Sequence, residues 1–347
     1  MESLAPVDRE RFARIYRVTS ADAHLRVPQA MAPWVEKTFG SVPSVETQRI
    51  VRVSNRVTGE STLFNELRAK RPVRAALRTD ATFEDELADD AWEQPEQATP
   101  EDPFGRLRNA HGITAANVAK YDAVHSIIVF TEPNPLEFTQ DSITAQLDLA
   151  RQWLQAAHDD DPDASYPYVM WNCLWRAGGS IVHGHMQASM ARSQHYGKIE
   201  RMRHDAQAYQ AEHGASYFDD LLSVHRALGL AVEVGSVSAI AHLTPLKEKE
   251  VLLLGAGLDR QGAEALFHTL RVFRDSLGVR SFNVGVLMSP LAPSEESWAD
   301  FTPHMRIVDR GNLGSRTSDI GGMEMFAESV VASDPFMLHE ALIEGNP

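Results

Sequence analysis

The residues best suited to chemistry lie in one stretch, Asn172-Cys173-Leu174-Trp175-Arg176-Ala177-Gly178-Gly179-Ser180-Ile181-Val182-His183-Gly184-His185-Met186-Gln187. His183, His185 and Gln187 alternate with Gly184 and Met186, and on a strand this spacing turns all three to one face. Gly184 would admit close approach of another backbone. Upstream, Gly178-Gly179-Ser180 forms a small turn whose N–H groups could cradle an anion beside the Ser180 hydroxyl. An anion cradle next to a face-aligned imidazole points to phosphate near a nucleophile. An imidazole that attacks phosphorus forms a phosphoramidate and divides one displacement into two. The attacking nitrogen must be unprotonated, so the other ring nitrogen should donate to a backbone carbonyl. A second chemistry for the same pair is metal ligation by His183 and His185.

These residues need a frame. Residues 46–64 read as a hairpin, with Arg49-Ile50-Val51-Arg52-Val53 alternating before the Thr58-Gly59-Glu60 turn. The first 40 residues read as helical or irregular, with a short helix over 8–17. Residues 125–130 form a buried-strand candidate. An amphipathic helix is expected over 141–155, burying Ile143, Leu147, Ala150 and Leu154, and then a strand over 166–172. The same strand–helix–strand block recurs over 251–254, 263–277 and 282–288, which implies an internal duplication. Helices between 194 and 227 separate the copies. The expected division is 1–192 and 193–347.

Of 347 residues, 43% are hydrophobic, enough for one large or two smaller cores. The balance of 33 Lys+Arg against 48 Asp+Glu gives a net charge of -15, which disfavours nucleic acid as a partner. Ten of the acids fall between positions 80 and 102, without a single base among them, and read as a solvated loop. Cys173 is the lone cysteine, so no intramolecular disulfide is possible. No apolar run approaches the roughly 18–20 residues of a membrane span. No signal-peptide pattern opens the chain, and a cytoplasmic setting is expected.

The pattern Asn172-x(5)-Gly178-x-Ser180-x-x-His183-x-His185-x-Gln187 resembles the active-site signature of the galactose-1-phosphate uridylyltransferase branch of the histidine-triad superfamily. The resemblance implies an α+β fold of two duplicated histidine-triad-like halves with antiparallel sheets and packed helices, the first active and the second degenerate. It makes His185 the nucleophile and gives phosphoryl contacts to Asn172, Ser180 and Gln187, beside the Gly178–Gly179 backbone. Arg68 and Arg71 resemble arginines that bind sugar phosphate, often across a dimer. Asn117 resembles a nucleotide-contacting residue, and Glu324 a sugar-hydroxyl contact. A neutral Gln187 where the hydrolases carry a third histidine suits transfer to phosphate better than hydrolysis.

The activity implied is transfer of a nucleoside monophosphate from a nucleotide sugar to a sugar 1-phosphate. The alternatives are phosphorolysis of a nucleotide sugar or dinucleoside polyphosphate by inorganic phosphate, and a non-catalytic nucleotide-binding module. A homodimer is implied, and no cofactor is needed. The family's structural zinc is improbable, because its Cys-x-x-Cys pair is missing and His183 would stand alone as a ligand. Glu200 and His304 could be remnants of a second metal site. Arg176 could pair with phosphate or with an acidic neighbour.

Overall fold

The computed structural model describes residues 4–70, 83–88, 90, 92–315 and 317–345. Arg71 lies outside them. Fourteen strands are found among the described residues: β1 (Tyr16–His24), β2 (Thr47–Asn55), β3 (Ser61–Phe64), β4 (Arg108–Asn109), β5 (Gly112–Ala116), β6 (Val124–Phe130), β7 (Ala164–Cys173), β8 (His185–Arg192), β9 (Ala231–Val234), β10 (Val237–Ala241), β11 (Val251–Leu254), β12 (Phe282–Leu287), β13 (His304–Asp309) and β14 (Ser329–Val331).

Ten of them form one sheet in the order β4-β5-β6-β8-β7-β12-β13-β11-β10-β9. Read inward from either edge, the order is the same: a hairpin, a third strand, then the fifth and the fourth. The helix Gln140–Asp160 links β6 to β7, and the helix Arg260–Arg271 links β11 to β12. The two copies meet at the antiparallel β7–β12 pair. The expected duplication is thus a single α+β sheet built twice from one plan.

Both connecting helices pack on the same kind of surface. In Gln140–Asp160, Ile143, Leu147, Ala150 and Leu154 are all buried, as their spacing predicts, and Trp153 joins them. They cover Ile128, Met186, Ala188, Val169 and Trp171 of the sheet. Thr139 caps the helix by accepting from the Ser142 N–H. The helix runs five residues past its expected end, because His158 Nδ1 donates to the Ala164 carbonyl and Gln155 bonds Asp159 one turn on.

A second, four-stranded sheet has the order β1-β2-β3-β14. The β2–β3 hairpin is where the sequence puts it. Strand β1 corrects the expectation of a helical or irregular opening: all nine of its residues pair with β2. Only Tyr16 of the nine is buried, so the strand lacks the apolar alternation that would announce it.

Candidate active site

One face of the large sheet carries the motif. In β8, His185 stands opposite Val129 and Gln187 opposite Ile127 of β6; on the other side Gln187 faces Met170 of β7. The same register carried two residues along β7 brings Asn172 level with His185. Alternation sends Met186 and Ala188 into the core and turns His185 and Gln187 to the opposite face.

His185 Nδ1 lies 2.8 Å from the His183 carbonyl and must donate to it. This fixes the tautomer with Nε2 bare. Nε2 has no hydrogen-bond partner among the described residues. Burial holds the imidazole below the ordinary histidine value, against the opposing pull of the His183 carbonyl. A neutral ring with an unprotonated Nε2 is what a nucleophile requires.

Gln187 is oriented by His125, at the head of the strand expected over 125–130. His125 Nδ1 accepts from the Tyr121 N–H at 2.9 Å, so its Nε2 carries the proton and donates to Gln187 Oε1 at 3.0 Å. The Gln187 amide therefore turns its NH2 away from His125, as a donor without a partner among the described residues. Tyr121 stacks on the His125 ring at 4.6 Å, and Asn117 Nδ2 lies 3.5 Å from His125 Nε2. Asn117 is thereby brought to the site's edge.

Asn172 is held across the junction of the two copies. Asn283 of β12 donates to Asn172 Oδ1 at 2.8 Å and to the Ala177 carbonyl at 2.9 Å. Arg310 donates in turn to Asn283, and Asp319 holds Arg310 at 2.7 Å. Arg176 donates to the Thr317 carbonyl at 2.6 Å and lies 3.9 Å from Asp319, which makes it a brace for this network.

The glycine turn differs from the cradle expected of it. The Gly178 N–H is taken by the Trp175 carbonyl and the Gly179 N–H by the Leu174 carbonyl. Gly178 is needed for its φ of +92°, and a Cβ on Gly179 would come 2.7 Å from the Asn172 carbonyl. The two glycines give the turn its shape. The Ser180 N–H and hydroxyl are donors without a partner among the described residues, and Ser180 is exposed. A Cβ on Gly184 would meet the Phe130 ring at 2.5 Å and the Glu132 carbonyl, the backbone approach expected there, at 3.2 Å.

His183 departs from its expected place. It precedes β8 rather than sharing its face, with Nε2 2.8 Å from the Phe130 carbonyl and Nδ1 2.8 Å from the Asp90 carboxylate. Both ring nitrogens are thereby committed. Cys173 is buried, and its thiol is pushed well up by that burial. These residues do not fit a zinc site, and no three His, Cys, Asp or Glu among the described residues are grouped for a metal ion. Glu200 pairs with Arg203 and His204, apart from His304. The acidic segment is not simply solvated: besides Asp90, Asp102 is buried and accepts from Ser126 Oγ and Trp153 Nε1.

Arg68 and Glu324 belong to the small sheet. Arg68 follows β3, exposed and without an ion pair among the described residues. Glu324 precedes β14 and accepts from the Gly321 N–H at 2.9 Å, capping a five-residue helix. Neither bonds to the β8 site within this chain.

No family model and no curated protein matches the chain. Solved structures do. An ADP-glucose phosphorylase from Arabidopsis thaliana, with bound ADP-glucose, has a TM-score of 0.62 and 16% identity over 83% of this chain and 96% of its own. A GalT-like protein from the same plant has a TM-score of 0.61 and 14% identity over 83% and 96%. A uridylyltransferase has 0.57 and 14% over 85% and 98%. The chain therefore shares the fold of these proteins.

Proposed function

We propose that this protein is a nucleotidyltransferase in which His185 carries a nucleoside monophosphate between two phosphate-bearing partners. The observation behind this reading is the His185 geometry: Nδ1 donating to its own chain, Nε2 bare, and the Gln187 amide donor beside it on one face. Nε2 attacks the α-phosphorus of a nucleotide sugar. The N–P bond forms as the P–O bond to the sugar phosphate breaks, and sugar 1-phosphate leaves with the electron pair. A phosphate oxygen of the acceptor then attacks the same phosphorus, and the N–P bond returns its electrons to Nε2. Gln187, Asn172 and Ser180 donate to the phosphoryl oxygens, whose charge grows in each transition state. A leaving phosphate needs no proton donor, which matches an amide rather than a third imidazole in that place.

The acceptor in this reading is a sugar 1-phosphate, bound by Arg68 and Glu324, with Arg71 alongside. A homodimer, each copy lending these residues to the other's site, belongs to it; sedimentation velocity tests the assembly. One observation favours inorganic phosphate instead: Glu324 is turned back onto the Gly321 N–H, not held out toward a ligand.

The deciding experiment is intact mass at neutral pH after incubation with UDP-, ADP- and GDP-sugars, wild type beside His185→Ala. A nucleoside-monophosphate adduct on wild type alone supports the reading and names the base. Binding without an adduct for any donor favours a nucleotide-binding module.

A further inference from the structure

Asp90 and Trp92 lie outside the motif and outside the sheet, yet they touch both of the motif's histidines. His183 Nε2 faces the Phe130 carbonyl, and Nδ1 lies 2.8 Å from each carboxylate oxygen of Asp90. Both partners only accept, so each contact is a hydrogen bond only if both ring nitrogens are protonated. The pair is then charge-assisted. Asp90 Oδ1 also accepts the Trp92 N–H at 2.9 Å, an Asx turn that sets where the indole goes. The indole meets the His185 ring edge-on at 4.9 Å and the His183 ring at 6.0 Å. It rests on Ala115, Ile127 and Val129, the apolar patch of the face that carries His185.

The second copy of the fold shows what the Asp90–His183 pair does not do. Thr302 stands there in the place of His183, and His304 in the place of His185. His304 Nδ1 still lies 2.8 Å from the Thr302 carbonyl, although a threonine in that place can form no imidazole–carboxylate pair. The backbone alone sets the tautomer. What the pair adds in the first copy is Trp92.

We infer that Asp90 is a positioning residue: through His183 it fastens the Trp92 indole against the His185 ring, where the indole shields that ring from water. The inference rests on the reading of His185 as nucleophile. Its consequence is a choice of reaction. Water attacking the nucleotidyl–His185 phosphorus would form a P–O bond, break the P–N bond and release nucleoside monophosphate, with the water proton passing to solvent. The indole stands against that loss, so the nucleotide waits for its acceptor.

The test uses the full chain as wild type, Asp90→Ala, Trp92→Ala and Trp92→Phe. The first readout is the rate of His185 carbethoxylation by diethyl pyrocarbonate, followed by peptide mass. This reaction needs only an accessible neutral imidazole and is independent of nucleotidyl transfer. It should rise several-fold in Asp90→Ala and Trp92→Ala and stay near wild type in Trp92→Phe. The second readout is the adduct's lifetime without acceptor, expected to shorten about 10-fold in the same two variants. If acylation rates rise but wild type never forms an adduct, the shield stands and the nucleophile reading falls. If the adduct forms and both rates match wild type, the inference is overturned. A purely structural pair would lower thermal stability without changing either rate. Should Asp90→Ala not fold, Trp92→Ala leaves the ion pair in place, and an unchanged acylation rate there is sufficient to reject the shield.

Discussion

His185 and His304 occupy the same place in the two copies of the fold. Each is the first residue of its strand, and each has Nδ1 2.8 Å from the carbonyl two residues before it. The neighbours diverge. Arg306 stands opposite Leu252 as Gln187 stands opposite Ile127, so Arg306 takes the place of Gln187 and Glu250 that of His125. Arg306 lies 2.6 Å from Glu250 and 2.7 Å from Glu60. Burial pushes Glu60 up, but Arg306 and His242 outweigh it and hold the carboxyl low. Where the first copy leaves an amide donor without a partner among the described residues, the second fills the space with its own ion pairs. His304 Nε2 is sealed without a partner. His185→Ala should therefore abolish the adduct, lowering transfer by about 10⁴-fold or more. His304→Ala should keep it while costing about 1–3 kcal/mol of stability. Intact mass and urea unfolding of the two variants check this.

The tautomer of His125 decides which end of Gln187 meets a phosphoryl group. Gln187→Ala should lower kcat by about 10²–10³, the usual cost of one oxyanion donor. His125→Phe keeps a ring in the stack under Tyr121 but loses the donor to Oε1. The amide is then free to flip, and kcat should fall about 10-fold, the worth of one neutral hydrogen bond of about 1–1.5 kcal/mol. In both variants kcat should carry the loss with KM for the donor nearly unchanged. A change confined to KM would assign Gln187 to ground-state binding.

Much of this site is local in sequence. The turn, the two histidines and Gln187 fall within sixteen residues, and a period of two is enough to align His185 with Gln187. The helix stripe from Ile143 to Leu154 is equally local, since 3.6-residue spacing needs no partner. What supports the site is not local. His183 meets Asp90 from 93 residues away, Gln187 meets His125 from 62, and Asn172 meets Asn283 from 111. Asp90 sits in a run of acids that composition reads as solvated, and nothing in its neighbours singles it out. Asn283 is in a strand the sequence does find, but the β7–β12 register that aims it at Asn172 is a property of the paired copies. Strand β1 escapes for a different reason: its polar, exposed residues carry no periodic signal, and its existence depends on β2.

Three buried histidines make the fold acid-sensitive. Burial lowers His225 to about 3, His195 to about 4 and His304 to about 4. Each titrates near 6.5 in the unfolded chain. The unfolded state thus takes up protons first as the pH falls. Stability is full above about pH 6.5 and is lost as the pH drops toward 4, by up to about 1.4 kcal/mol per pH unit for each group. Urea midpoints between pH 7.5 and 4.5 should fall steadily. His225→Phe should flatten that slope; an unaltered slope would show that other groups control it.

Arg68 and Glu324 test the acceptor. Arg68 is exposed and has no ion pair among the described residues, so Arg68→Ala removes charge without breaking a contact. If the acceptor is a sugar 1-phosphate held by this guanidinium, the variant should form adduct at the wild-type rate and raise the acceptor KM about 10-fold or more, the worth of a charge-assisted hydrogen bond. Glu324→Ala loses the cap on the Gly321 N–H and, on that reading, a sugar contact, whereas Glu324→Gln retains an oxygen for the cap. An acceptor KM raised in Glu324→Ala and restored in Glu324→Gln identifies the cap as what matters; raised in both, it identifies the carboxylate. With inorganic phosphate as acceptor, a ligand without hydroxyls for Glu324 to meet, neither Glu324 variant should shift KM. Steady-state kinetics with the two acceptors side by side therefore separates sugar-phosphate transfer from phosphorolysis.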